Sequence, residues 1–242
     1  MKIMKFGGTS VGKPERMQQI VSLVSKETEP IIVVLSALSG TTNALVEIGN
    51  HIANGDRGTA KQTIDKLEKH YQDFISELVK QPATSEKAKV IVAEHFEFLN
   101  IILKISFSEA LSKDILAQGE LLSTKIFSVY LEELGIDHLF LPALEFMTID
   151  HYDEPQIGSI KVKLSQILNQ HKDKKLFVTQ GYICRNTRGE VDNLKRGGSD
   201  YTASLIAAAI NASVCEIWTD IDGMHNNDPR IVKKTVPVEQ MS

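Results

Sequence analysis

Five short runs rich in apolar residues punctuate the chain, at 2–6, 31–36, 138–142, 176–179 and 214–218. Longer stretches stand between them, with apolar positions recurring at helical spacing. That alternation predicts a mainly parallel sheet covered by helices, because parallel strands need crossover connections and bury both faces. Pro14, which has no N–H to lose in a first turn, opens a predicted helix over 14–26. From 42 to 134 the composition shifts to Glu, Lys, Ala and Leu. This predicts an inserted helical section, broken near Gly55-Asp-Arg-Gly58 and Gln81-Pro82. Small residues from Tyr201 to Ile210 predict a further helix. With no repeat or low-complexity linker, one α/β domain is expected over residues 1–242.

Composition narrows the function classes. At 242 residues, 42% hydrophobic and 24% charged, the chain can bury a substantial core. Wholly apolar runs such as Ile31-Ile-Val-Val-Leu35 are far too short to span a bilayer, and no signal peptide is read at the start, so a cytoplasmic location is the default. A net charge of −4 gives no footprint for nucleic acid. Two cysteines, Cys184 and Cys215, are too few for a disulfide framework, and seven histidines show no paired metal spacing. The chain stops at Val238-Glu-Gln-Met-Ser242 without a closing strand or helix, as expected of a piece of a longer protein.

In open parallel sheets ligands bind outside the carboxyl ends of strands, and the unusual residues of this chain fall there. The first run leads into Lys5-Phe-Gly-Gly-Thr-Ser10. Glycines let backbone N–H groups approach an anion, Lys5 adds charge, and Thr9 and Ser10 add donors. Gly7-x-x-x-x-Gly12-Lys13 matches the opening of a P-loop, but Pro14 stands where that loop needs a hydroxyl. The second run ends at Ser36-Ala-Leu-Ser-Gly-Thr-Thr-Asn43, a polar loop and helix cap. Arg196-Gly-Gly-Ser-Asp200 precedes a helix and reads either as an anion site at a helix N-terminus or as an ordinary start capped by Ser199. Arg196 would grip a carboxylate or phosphate bidentately. Glu120, beside Gly119 at the edge of an apolar stretch, reads as a ligand for a substrate ammonium, or as a surface residue or helix cap. Thr219-Asp220 with Gly223 and Asn227-Asp-Pro-Arg230 reads as a nucleotide loop or a plain turn.

Five of these segments, in this order, resemble the aspartokinases: Lys5-Phe-Gly-Gly-Thr-Ser-Val11, Ser36-Ala-x-x-Gly-x-Thr-Asn43, Gly119-Glu-Leu-Leu-Ser123, Arg196-Gly-Gly-Ser-Asp-Tyr-Thr-Ala203, and Trp218-Thr-Asp-x-Asp-Gly223 with Asp228-Pro-Arg230. The resemblance implies a three-layer α/β sandwich with a mainly parallel open sheet, the amino-acid-kinase fold, similar to carbamate kinase. It implies an aspartate lobe over roughly 1–175 and an ATP lobe over 176–242. The implied reaction moves the γ-phosphoryl group of ATP, with Mg²⁺, to the side chain of L-aspartate, the first step toward lysine, threonine and methionine.

Carried over by position, Lys5 and Asp200 are catalytic, and Lys5, Gly7 and Gly8 meet the transferred phosphoryl group. Thr42, Glu120, Arg196 and Ser199 hold the amino acid, with Glu120 on its ammonium. Thr219, Asp220, His225 and Arg230 hold ATP. Lys195 stands in place of a usual Gly, Tyr182 of a usual Phe and His225 of a frequent Tyr. The regulatory ACT domains of full-length members, through which they are expected to oligomerise, are absent. Kinases of glutamate, acetylglutamate, carbamate or nucleotides on the same scaffold are competing readings, as is a non-catalytic binding module.

Overall fold

The computed structural model describes residues 1–195, 197–219, 223–228 and 231–240. Each of the five predicted runs is a strand: β1 (Lys2–Phe6), β2 (Ile31–Leu35), β3 (Leu139–Phe140), β4 (Leu176–Gln180) and β7 (Val214–Trp218). They form one sheet in the order β3-β4-β2-β1-β7, with every pairing parallel. A small antiparallel hairpin, β5 (Ile183–Arg185) with β6 (Val191–Asn193), follows β4 and was not legible as alternation. The division expected at residue 175 is no break in the sheet, since β4 lies between β3 and β2.

Side chains that alternate along each strand feed two separate cores, which is the period-2 consequence of the pleat. Met4, Phe6, Val33, Leu35 and Val178 point into one apolar cluster. There they meet α2 (Pro14–Val24), α3 (Thr41–Ala53), α4 (Arg57–Leu78), α5 (Pro82–Ile102) and much of α6 (Glu109–Glu133). Ile3, Ile32, Val34 and Phe177 point the other way. They meet α7 (Ala143–Phe146), α8 (Ile157–Gln170) and α9 (Gly198–Ile210). The result is the expected three-layer sandwich, its thicker helical layer being the 42–134 section. No helix among the described residues is long and apolar enough to cross a membrane.

Two polar features fix α6, the helix that matters most to the site. His95 on α5 is buried; that burial, with the nearby Lys125 ammonium, holds its pKa down to about 4. The neutral ring therefore accepts from Lys125 Nζ at Nε2 (2.9 Å) and gives its Nδ1–H to Gln118 Oε1 (2.5 Å). At the far end of α6, the Glu133 carboxylate accepts from the N–H groups of Lys80 and Gln81 at 3.0 Å and from Thr84 Oγ1 at 2.6 Å. No side chain of α5 caps its own start, so Glu133 serves as an anionic cap from a neighbouring helix. Partial burial works against the charge of Glu133, but the bonds from Thr84, Lys80 and Gln81 win and lower its pKa.

Gly119 lets α6 approach the loop after β2. A Cβ there would stand 2.7 Å from Ala37 Cβ and 3.3 Å from Thr41 Cγ2. Gly119→Ala should therefore destabilise the protein by about 1–3 kcal/mol through overpacking, read as a lower urea midpoint; an unchanged midpoint would mean the helix can move away freely. Glu133→Ala should cost about 0.5–2 kcal/mol at pH 7, the range for losing a cap. Because the folded pKa of Glu133 is depressed, its contribution is complete above the ordinary carboxylate value and fades as pH falls through the folded one. The difference between variant and wild type should accordingly shrink in acid unfolding titrations, and a constant difference would refute the cap.

Candidate active site

Parallel register brings four strand ends together. Lys5 lies beside Val34 and Ile217 on its two neighbours, and Leu35 lies beside Gln180. The chain leaves β1, β2, β4 and β7 on one side of the sheet, and a cleft of about 730 Å³ opens there. Its lining includes Lys5, Gly7, Gly8, Thr42, Glu120, Ser199, Asp200 and Thr219. Segments far apart in sequence, the Lys5 loop and the start of α9, thus share one cavity.

Lys5 is only 8% exposed, yet its ammonium reaches the cleft. Nζ sits 2.6 Å from Asp200 Oδ1, on the first turn of α9, and 3.2 Å from where a Cβ on Gly7 would stand. The pair fixes the lysine across the cleft, while Asp200, with half of its side chain exposed, stays open to solvent and ligand. After β1 the backbone turns at once into the helical turn α1 (Gly8–Val11), with the N–H groups of Ser10 and Val11 both on the Gly7 carbonyl. Gly7 and Gly8 carry no side chain between that turn and the ammonium.

Glu120 is the deeply buried carboxyl of the cleft. It lies in the middle of α6, is 4% exposed, and is neither a cap nor a surface residue. Oε1 accepts the Ala37 N–H at 3.2 Å, and one turn further along, Ser123 Oγ donates to the Ser36 carbonyl at 2.8 Å. The two side chains clamp the loop after β2. Oε2 is buried and has no partner among the described residues. Burial raises the carboxyl pKa to about 7, against the lowering effect of the Ala37 N–H. A buried, unpaired carboxylate oxygen is costly unless a cation completes it.

The loop that Glu120 clamps is pinned on its other side by Thr41, whose hydroxyl meets the Tyr71 hydroxyl of α4 at 3.0 Å. Thr42, next in line, turns to the cleft. At the end of β4, Gln180 is fully buried; it accepts the Ala143 N–H at 2.7 Å and donates to Thr124 Oγ1 at 2.8 Å, so the exit toward Gly181 and Tyr182 is fixed. α9 begins at Gly198 with Gly197 as its N-cap. Ser199 is not that cap: it lies inside the first turn and lines the cleft, where the free N–H groups of a helix start favour an anion.

Of the predicted residues, Lys5, Gly7, Gly8, Thr42, Glu120, Ser199, Asp200 and Thr219 converge on the cleft. His225 does not line it; its Nδ1 meets Thr235 Oγ1 at 3.0 Å and its backbone bridges Pro237. Arg196, Asp220 and Arg230 lie outside the described residues. Sequence reasoning passed over Tyr182 and Lys195 as contacts, although both line the cleft; their departure from the aspartokinase pattern was the available signal. Among the described residues no group of three His, Cys, Asp or Glu side chains is placed to hold a metal.

The cleft stands beside three comparisons. The family model described as "Amino acid kinase family" matches residues 1–242. Lysine-sensitive aspartokinase 3 of Escherichia coli (strain K12) is 31% identical over 245 residues, covering 99% of this chain and 53% of that protein. Aspartokinase 2, chloroplastic, of Arabidopsis thaliana is 33% identical over 242 residues, covering 95% of this chain and 43% of that protein. The crystal structure of E. coli aspartokinase III in complex with aspartate and ADP matches with a TM-score of 0.85 at 29% identity, over 98% of this chain and 53% of that one. The chain thus spans about half the length of these relatives. Matched by the family model from its first residue to its last, and folded as that likeness requires, the chain belongs to the amino acid kinase family.

Proposed function

We propose that this chain is the catalytic region of an aspartokinase, which transfers the γ-phosphoryl group of ATP to the side-chain carboxylate of L-aspartate. The products are 4-phospho-L-aspartate and ADP. The observation that carries the reading is the buried, unpartnered Oε2 of Glu120 in the same cleft as Lys5. An amino acid's ammonium completes that oxygen, whereas an N-acetylated acceptor brings no cation to it. The likeness to an aspartokinase solved with aspartate and ADP supports the same assignment.

One aspartate carboxylate oxygen attacks the γ-phosphorus as the bond to the β,γ-bridging oxygen breaks, and that electron pair leaves on ADP. The nucleophile is already ionised at neutral pH, so no general base is needed. The obstacle is repulsion between anions brought into line, and it is met by positioning and charge. Lys5 faces the transferred group, held there by Asp200. Gly7 and Gly8 keep the approach free of side chains, Ser199 and the start of α9 take negative charge, and Thr42 with Glu120 orients the amino acid. Thr219 stands at the nucleotide end.

A Mg²⁺ ion arriving on the nucleotide phosphates would neutralise part of their charge. Asp200 is the exposed carboxylate suited to it, since the described residues offer no preformed metal cage.

In an assay that traps acyl phosphate as hydroxamate, L-aspartate and ATP should give product while N-acetylglutamate gives none. Lys5→Met should lower turnover on the order of 10²–10³-fold, the usual loss on removing one preorganised donor; full activity in that variant would take Lys5 out of the mechanism. Affinity for L-aspartate should rise with pH and level off above about 7, because Glu120 is neutral below that value and cannot pair with the ammonium. Glu120→Gln should flatten that dependence and weaken binding throughout. A pH-dependent affinity surviving in Glu120→Gln would assign the titration to another group.

A further inference from the structure

Tyr182 is held in a backbone conformation that its side chain resists. Its φ of 68° falls in the left-handed region, where Cβ crowds the following carbonyl and a bulky residue is an outlier. Such a conformation persists only where the surroundings over-determine it. Here they do so from three directions. The Tyr182 N–H donates to Thr202 Oγ1 at 2.9 Å, and its carbonyl accepts the Leu194 N–H at 2.7 Å. Thr202, fully buried, passes its own hydroxyl proton to the Gly198 carbonyl at 2.8 Å, which couples the Tyr182 backbone to the first turn of α9.

The third restraint is steric. A Cβ on Gly198 would stand 2.7 Å from Tyr182 Cδ2, and one on Gly181 would stand 2.5 Å from Ser199 Oγ. The dipeptides Gly181-Tyr182 and Gly198-Ser199 interlock so closely that only glycine fits at either position. What this strained arrangement delivers is an aromatic ring at the cleft wall, with Glu120, Gly198 and Ser199 among the other lining residues. The ring's hydroxyl makes no hydrogen bond with any described residue. Burial, followed by the nearby Glu120 carboxyl, pushes the phenol up to about 12, so it is a proton donor at any working pH. A Phe at this position would form the same wall without that donor.

We propose that Tyr182 is a specificity-determining residue of the amino-acid pocket, its hydroxyl donating a hydrogen bond to a carboxylate of an amino dicarboxylic acid whose ammonium sits on Glu120. The inference rests on reading the cleft as an aspartate site. A neutral donor suits the place: it holds a carboxylate without competing with the ammonium for Glu120.

The test is calorimetric titration of L-aspartate, and separately of ADP, into wild type, Tyr182→Phe and Tyr182→Asn, which requires no turnover. Tyr182→Phe keeps the ring and should weaken L-aspartate about tenfold, the usual worth of a hydrogen bond to a charged group, with ADP affinity unchanged. Tyr182→Asn, whose side chain tolerates left-handed backbone, should weaken L-aspartate further while the fold, checked by circular dichroism, persists. Equal aspartate affinity in wild type and Tyr182→Phe would overturn the proposal. So would a parallel loss of ADP affinity, since that would mean general loosening of the cleft. Wild-type protein that binds no aspartate would instead bring down the aspartate reading on which the inference stands.

Discussion

A carboxylate buried in the middle of a helix, half satisfied by a backbone N–H and half unsatisfied, is the constraint on which the rest of the site depends. Glu120 joins α6 to the loop after β2 through Ala37, and Ser123 repeats the connection one turn later at Ser36. The helix can come that close because Gly119 offers no Cβ, and it is held in azimuth by the neutral His95 on Gln118. What remains at the centre of this packing is one buried acceptor oxygen with no partner among the described residues, on a side chain that lines the cavity into which β1 delivers Lys5. A folded protein retains such a group where a ligand completes it.

The other departures from ordinary structure gather at the same cleft. Lys5 is nearly buried, with its Nζ paired to Asp200. Tyr182 occupies a left-handed backbone. Two glycines allow main chains to approach more closely than any side chain permits. Away from the cleft, Asp56 and Ser108 cap α4 and α6 through their own side chains, Glu133 supplies what α5 lacks, and apolar stripes feed two dense cores. Several local inconsistencies at one cleft mark where stability gives way to function.

Much of this was legible in the chain before folding. All five strands show as short runs rich in apolar residues, most clearly Ile31–Leu35, a fully buried parallel strand that is apolar on both faces. The Lys5 loop and the small residues around Ser36 and Ser199 stand out because phosphate and carboxylate sites need glycine and hydroxyls at strand ends. The failures have physical causes. Glu120 reads as an ammonium ligand, but its burial does not show, because no periodicity reveals that α6 is packed on both sides. Ser199 reads either as part of an anion site or as a cap, and the fold decides between them: Gly197, in left-handed backbone, takes the cap position and leaves Ser199 to line the cleft. The hairpin of β5 and β6 is too short to show alternation, and the strain at Tyr182 arises from tertiary contacts with Leu194 and α9.

The most direct test of the account is a crystal structure of the protein with L-aspartate and a non-hydrolysable ATP analogue. The account predicts the aspartate nitrogen at hydrogen-bond distance, about 3 Å, from Glu120 Oε2, with the side-chain carboxylate turned toward the γ-phosphate beside Lys5 Nζ. An aspartate bound with its ammonium away from Glu120, or with its side chain turned from Lys5, would contradict it.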